Sequence, residues 1–139
     1  MKKNTVLTIL LFWSLLFQVS CSKDGGGEPT PPPPPPEEEA LKISTNASSL
    51  NITAGAQFDF TVTVDSKMPA NGVKIEYTVR GESDNQVYPQ GPAIETKTAS
   101  TAISLSGLPR QKFCVTSITV TSLSKSSNTA STSFRVVYK

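Results

Sequence analysis

The side chains that could perform chemistry cluster in one short segment. Glu82, Asp84 and Asn85 lie close together, and Tyr88 follows them. Carboxylate and amide oxygens bind calcium, but calcium takes about six to eight oxygens, more than this segment offers. Paired carboxylates also hydrolyse glycosides when about 5 to 9.5 Å separates them across a cleft. A domain this small offers little cleft, so we expect a solvated polar loop with no metal, no cofactor and no catalytic residue.

The amino-acid composition argues further against catalysis and metal binding. The 139 residues include no His and only two Cys, Cys21 and Cys114. His is the commonest general base and metal ligand, and two Cys alone do not complete a zinc site. Cys114 lies within a strand-like segment and has no neighbouring base, so we expect a small buried hydrophobe rather than a nucleophile. The chain is predicted not to be an enzyme.

The N-terminus has the pattern of a secretion signal. Met1, Lys2 and Lys3 form a short basic start, and residues 6–19 are almost wholly apolar. A membrane-spanning helix needs about 20 apolar residues, and this run is shorter. A short apolar run after a basic start is typical of a removable signal, which we place at residues 1–20.

A lipidation motif follows the apolar run. Gln18, Val19, Ser20 and Cys21 resemble the lipobox of bacterial lipoproteins, although Leu is usual at the position of Gln18. The resemblance implies cleavage between Ser20 and Cys21 and attachment of acyl chains, such as palmitate, at Cys21. One acyl chain gives only marginal binding, and several give firm anchoring. The alternative is an ordinary signal cleaved nearby, with Cys21 a spare thiol.

The next three residues bear on localisation. Ser22, Lys23 and Asp24 resemble the short signal that exports Bacteroidota-type lipoproteins to the cell surface. The match is partial, because a second acidic residue is common where this chain has Gly25. The resemblance implies an outer-membrane protein that faces outward. The periplasmic leaflet is the alternative.

Residues 21–39 read as a linker. Three glycines give a flexible hinge, and residues 29–36 are proline except for Thr30. Such a run forms an extended polyproline II rod of about 3.1 Å per residue. Glu37, Glu38 and Glu39 then add like charges, and nothing here can bury a core. We expect a disordered spacer; a proline-rich ligand for another domain is the alternative.

The remaining residues, 40–139, predict one all-β domain. They carry ten Lys/Arg and six Asp/Glu with no basic cluster, so we expect no nucleic-acid partner. Apolar and polar residues alternate throughout, which marks half-buried strands. About seven strands in this length favour an Ig-like Greek-key β-sandwich. The seven regular strands are predicted to begin near Leu41, Leu50, Phe58, Val73, Thr101, Phe113 and Thr129, and two shorter, less regular segments begin near Val87 and Ala93.

Two local features refine this prediction. In the longest strand, Val115 and Ile118 break the alternation, which predicts a bulge near Thr116 and Ser117. After the fourth strand, residues 81–92 read as a loop with a short edge strand around Val87.

The last forty residues also resemble a known type of domain. Ser104-Leu105-Ser106-Gly107-Leu108-Pro109, then Phe113, then Thr119-Val120-Thr121 are similar to the end of a fibronectin type III or bacterial Ig-like domain. The chain departs from that pattern at Phe113, where Tyr is expected. The resemblance implies architecture and says little about function.

These patterns lead to three functional expectations. The first is a non-catalytic binding or adhesion module, anchored to the membrane by lipid, that binds a protein through residues 81–92. Glu82, Asp84, Asn85 and Tyr88 would contact the ligand, with Tyr88 the one aromatic expected to be exposed. The second is an accessory lipoprotein for polysaccharide binding, and the third is a purely structural envelope component. The oligomeric state stays open.

Overall fold

The computed structural model describes residues 37–139. The predicted signal 1–20, the sites at Ser20 and Cys21, the export signal 22–24 and the linker up to residue 36 lie outside the described residues. Within the described part, no helix is long and apolar enough to cross a membrane.

Residues 37–139 form an all-β fold, as the alternation predicts. Nine strands follow one another along the chain: β1 (Ile43–Thr45), β2 (Leu50–Thr53), β3 (Phe58–Val64), β4 (Val73–Gly81), β5 (Val87–Tyr88), β6 (Ile94–Thr96), β7 (Ser100–Leu105), β8 (Phe113–Ser122) and β9 (Thr129–Tyr138). The first strand starts at Ile43, and Leu41 is buried just before it.

The strands form two sheets in a Greek-key sandwich. One sheet has the order β1-β3-β7, and the other has the order β2-β9-β8-β4-β5, with β6 also paired to β4. All these pairs are antiparallel except β2 with β9. Because β1 and β2 are halves of one strand that changes sheet, and β5 and β6 share one edge of β4, nine strands fill the seven positions of an Ig-like domain.

The core lies between the two sheets. Phe58 and Phe60 of β3 meet Phe134 of β9, with ring centroids 5.8 and 5.0 Å from that ring. Tilted and edge-on aromatic pairs of this kind add about 0.5–1.5 kcal/mol beyond the burial of their area. The predicted inward faces of β3 and β4 are confirmed, since Val62, Val73, Ile75 and Val79 are almost fully buried.

The predicted bulge in β8 is wrong. The pairing of β8 with β4 and β9 is continuous from end to end. Its inward face is a strict alternation that includes polar residues: Cys114, Thr116, Ile118, Val120 and Ser122. Val115 therefore points outward, and Thr116 takes the core position that the apolar pattern left empty.

Thr116 is an imperfect core residue. Its side chain is fully buried, and its hydroxyl has no hydrogen-bond partner. Burying a hydroxyl without a partner costs free energy, and removing the hydroxyl recovers it.

We therefore expect Thr116→Val to raise the free energy of unfolding by about 1 kcal/mol. The measurement is urea denaturation followed by circular dichroism. Thr119→Val is the matched control, because Thr119 lies on the outer face of β8, 3.2 Å from the Ser131 hydroxyl. A loss of stability in Thr116→Val would contradict the assignment of Thr116 to an unsatisfied core position.

The start of the described chain is fastened to the domain by one side chain. The Asn128 amide donates to the Glu38 carboxylate at 2.6 Å and to the Glu39 carbonyl at 2.8 Å. Its amide oxygen accepts the Leu41 N–H at 2.9 Å. We call these bonds the Asn128 clasp. Glu38 and Glu39, the last residues of the predicted linker, are thus part of the folded unit.

The Asn128 clasp defines two ends of the sandwich. The entry pole contains the clasp and the turns at residues 65–72 and 123–128, which bond to each other. The distal pole contains residues 54–57, 81–86 and 106–112, at the opposite ends of the same strands.

Candidate binding surface

The predicted ligand loop begins with a tight turn at the distal pole. β4 ends at Gly81, whose N–H donates to the Gln86 carbonyl at 2.8 Å, and the Asn85 N–H donates to the Gly81 carbonyl at 2.9 Å. Asn85 has a φ of 56°, a left-handed conformation that Asn adopts more readily than most residues. Asn85 therefore has a structural role in the turn, because it adopts this backbone conformation. The rest of the predicted loop includes β5 (Val87–Tyr88), which agrees with the short strand expected around Val87.

The two carboxylates of this loop bind different cations. Glu82 pairs with Arg135 of β9 at 2.6 Å, while Asp84 pairs with Lys112, just before β8. They do not converge on a common point. Within residues 37–139, no three acidic, Cys or His side chains are grouped to hold a metal ion.

Lys112 contacts both the turn at residues 81–86 and β5. Its ammonium donates to Asp84 and to the Tyr88 hydroxyl at 3.2 Å, and it lies 5.8 Å from the centre of the Tyr88 ring. The hydrogen bond from Lys112 lowers the pKa of Asp84, and the bond to Asp84 raises the pKa of Lys112. This pair is partly exposed, so it fixes the loop geometry more than it stabilises the fold.

Tyr88 is less exposed than the sequence indicates. Its partner in β4 is Val79, a core residue, so Tyr88 lies on the inner side of the sheet. It is half-buried and packs against the core.

The more exposed aromatic ring is Phe113, which the sequence analysis did not single out. Because Cys114 points inward, Phe113 points outward and is 42 % exposed. The Arg135 guanidinium lies over the ring, 4.9 Å from its centre, while bonded to Glu82. The strict alternation of β8 is the signal that would have found it.

Phe113 belongs to an apolar area on the outer face of the six-stranded sheet. The residues that share one row across this sheet are Leu50, Arg135, Val115, Arg80 and Val87, and the adjacent row contains Ile52, Val137 and Phe113. We name the apolar members of both rows the distal apolar face: Leu50, Ile52, Val87, Phe113, Val115 and Val137.

The distal apolar face gathers the exposed hydrophobic residues of the domain. Of the five large hydrophobic side chains that are exposed in residues 37–139, it contains Leu50, Ile52, Val87 and Phe113. The fifth, Leu123, lies at the entry pole. Single exposed hydrophobics are normal, but several on one sheet face, here interspersed with Arg80 and Arg135, indicate a site of interaction.

The other half of the same outer face is polar. Towards the entry pole its residues are Lys74, Glu76, Thr78, Ser117, Thr119, Thr121, Thr129, Ser131 and Ser133. Lys74 and Glu76 form a salt bridge at 3.1 Å. The apolar character is therefore confined to the distal half and is not a general property of this sheet.

Cys114 is buried, with 1 % of its surface exposed, and burial raises the pKa of its thiol. A buried thiol with a raised pKa is a poor nucleophile.

Comparisons of the chain with family models, curated proteins and solved structures find no match.

The Asp84–Lys112 pair gives a pH-dependent prediction. The pKa of Asp84 is lower in the folded chain than in the unfolded chain. Its contribution to stability is therefore complete above the ordinary pKa of Asp and is lost as pH falls through the lowered value. Lys112→Met should raise the pKa of Asp84 and reduce the loss of stability in acid.

The measurements are a carboxyl-carbon NMR titration of Asp84 and urea midpoints across the acidic range. Lys97→Met is the control, because Lys97 forms none of the four salt bridges within the described residues. An unchanged Asp84 titration in Lys112→Met would show that the pair does not form in solution.

Proposed function

We propose that this chain is a lipid-anchored cell-envelope lipoprotein that displays a non-catalytic, Ig-like protein-binding module. The distal apolar face is the observation that carries the binding role. It places four exposed apolar side chains together on a rigid sheet, and interface centres are built from such groups. The signal-like N-terminus and the lipobox around Cys21 support the anchoring role.

The surroundings of the Phe113 and Tyr88 rings favour a protein partner over a polysaccharide. Sugar-binding surfaces stack open aromatic rings on pyranose faces. Here Arg135 lies over Phe113 and Lys112 lies near the face of Tyr88, so neither ring is a free platform. Aliphatic Leu50, Ile52 and Val87 complete the face, and aliphatic groups fit the apolar side chains of a protein.

The position of the face suits a tethered module. The described chain starts at the entry pole, where the Asn128 clasp holds Glu38 and Glu39. The distal apolar face lies at the other end of the strands. With the lipid anchor on the N-terminal side, the distal pole would be the end presented away from the membrane.

The lipid anchor has a direct chemical test. We expect the wild-type chain to incorporate an alkyne analogue of palmitate and Cys21→Ser to incorporate none, because a hydroxyl replaces the thiol that carries the diacylglycerol. Cys114→Ala is the matched control and should label like the wild type. The readout is in-gel fluorescence after coupling to a dye. Equal labelling of Cys21→Ser and wild type would refute lipidation at this position.

The binding role is tested by photo-crosslinking in intact cells. A benzophenone side chain placed at Ile52 or at Val87 should give a discrete protein adduct, whereas the same group at Leu123 should give none. Leu123 is also an exposed hydrophobic residue and lies outside the distal apolar face. Adducts identified by mass spectrometry as glycans would favour polysaccharide binding. If neither face position gives an adduct, or if Leu123 gives the same amount of adduct, the protein-binding proposal is refuted.

A further inference from the structure

Two arginines lie among the side chains of the distal apolar face. Across the strands β2, β9, β8, β4 and β5, one row of outward side chains is Leu50, Arg135, Val115, Arg80 and Val87. Neighbouring strands are about 4.8 Å apart, so this row spans about 19 Å and the backbones of the two arginines are about 10 Å apart. Each arginine has an apolar neighbour on both sides. A partner that covers the apolar side chains must therefore also cover a guanidinium.

The two guanidinium groups differ in what they bind. Arg135 donates to Glu82 at 2.6 Å and lies over the Phe113 ring. Arg80 is exposed and forms none of the four salt bridges within residues 37–139. A guanidinium has five N–H donors and no acceptor. Arg80 is therefore the cation of this face whose charge the described part of the chain does not match.

Covering Arg80 costs free energy unless the partner supplies an anion. A charged group that is removed from water without a partner is strongly unfavourable. A carboxylate opposite the guanidinium forms a charge-assisted pair that can be bidentate. Arginine is also enriched in protein interfaces, whereas lysine is depleted there. The distal apolar face is thus suited to a partner that has an acidic residue among apolar ones.

A second copy of the chain does not supply that acidic residue. Two distal apolar faces in contact would bring together two arginines from each copy. The carboxylate beside each face, that of Glu82, is already bonded to Arg135. Two copies would therefore place like charges against each other and leave Arg80 without an anion.

An anionic lipid surface also fits less well than a protein. A flat bilayer surface would contact the whole outer face of the sheet, including its polar half with Glu76 and the Ser and Thr side chains. The apolar side chains occupy only the distal half. A protein surface can cover that half alone.

We propose that the distal apolar face binds a protein surface on which one carboxylate, opposite Arg80, lies between apolar side chains that contact Val87 and Val115. The carboxylate would accept hydrogen bonds from the Arg80 guanidinium, while Arg135 keeps its own partner, Glu82. The acidic residue would select the partner, because an apolar or basic residue in its place leaves Arg80 unpaired. This inference rests on the proposed binding role and assigns the chemistry of the partner.

The experiment measures crosslinking from Val87 in intact cells while the charge of residue 80 is varied. Val87 is the strand partner of Arg80, so a benzophenone at Val87 contacts the same part of the bound protein. Arg80→Met removes the charge and keeps an unbranched apolar chain. We expect Arg80→Met to reduce the yield of protein adduct about tenfold, and Arg80→Glu to reduce it further. If apolar packing alone held the partner, Arg80→Met would give as much adduct as the wild type, or more.

Lys74→Met is the matched control, because it removes one positive charge from the polar half of the same outer face. It should leave the adduct yield unchanged. Immunoblotting of the cells checks that all variants are present in equal amounts. Circular dichroism of the full-length variants in detergent micelles checks that they are folded.

Charge reversal on the partner gives a second readout. Mass spectrometry of the wild-type adduct identifies the crosslinked residue of the partner, and an Asp or Glu should lie beside it. Changing that acidic residue to Lys should reduce the adduct with the wild-type chain. The same change should restore the adduct with Arg80→Glu, because the two charges are then exchanged.

Equal adduct yields from the wild type and Arg80→Met would overturn this inference, and so would a partner without an acidic residue beside the crosslink. An adduct with lipid, or with a second copy of the chain, would also contradict it. The binding module stands in the first two cases, because a discrete protein adduct still forms at Ile52 and Val87. If neither position gives an adduct, the proposed binding role fails and this inference fails with it.

Discussion

The continuous pairing of β8 with β4 on one side and β9 on the other determines which residues of this strand form the core and which form the outer face of the sheet. Because the register has no break, one parity of β8 faces the core and the other faces outward over ten residues. Cys114 and Thr116 are thereby buried, while Phe113 and Val115 are placed outside. A shift by one residue would exchange these sets, and the distal apolar face would no longer exist.

The charged residues around the distal apolar face act mainly on geometry. Arg135 joins Glu82 of the 81–86 turn to the ring of Phe113, and Lys112 joins Asp84 to Tyr88. Each cation thus connects a turn residue to an aromatic ring. Exposed ion pairs add little to stability, but these pairs hold the distal turns against the sheet. The result is a surface on which arginine and apolar side chains alternate across the strands.

The strands and the class of fold could be predicted from the alternation of apolar and polar residues, whereas the surface could not. Thr116 and Ser122 occupy core positions although they are polar. An alternation judged from apolar residues alone is therefore interrupted at these positions, and a bulge is predicted where the strand is regular. Glu82 and Asp84 are neighbours in sequence, yet their partners lie 53 and 28 residues away. Neighbouring residues of a turn point in different directions, so their proximity in sequence did not predict a common site. The exposure of Phe113 depended on the parity of β8, which the false bulge obscured.

The Asn128 clasp has a mechanical consequence. Tension applied at residue 37 would reach the fold first at the bonds between Asn128 and residues 38, 39 and 41, and then at the three paired positions of β1 and β3. A pull on the N-terminal side would therefore strain these bonds at the entry pole before it strains the remaining pairs of the two sheets.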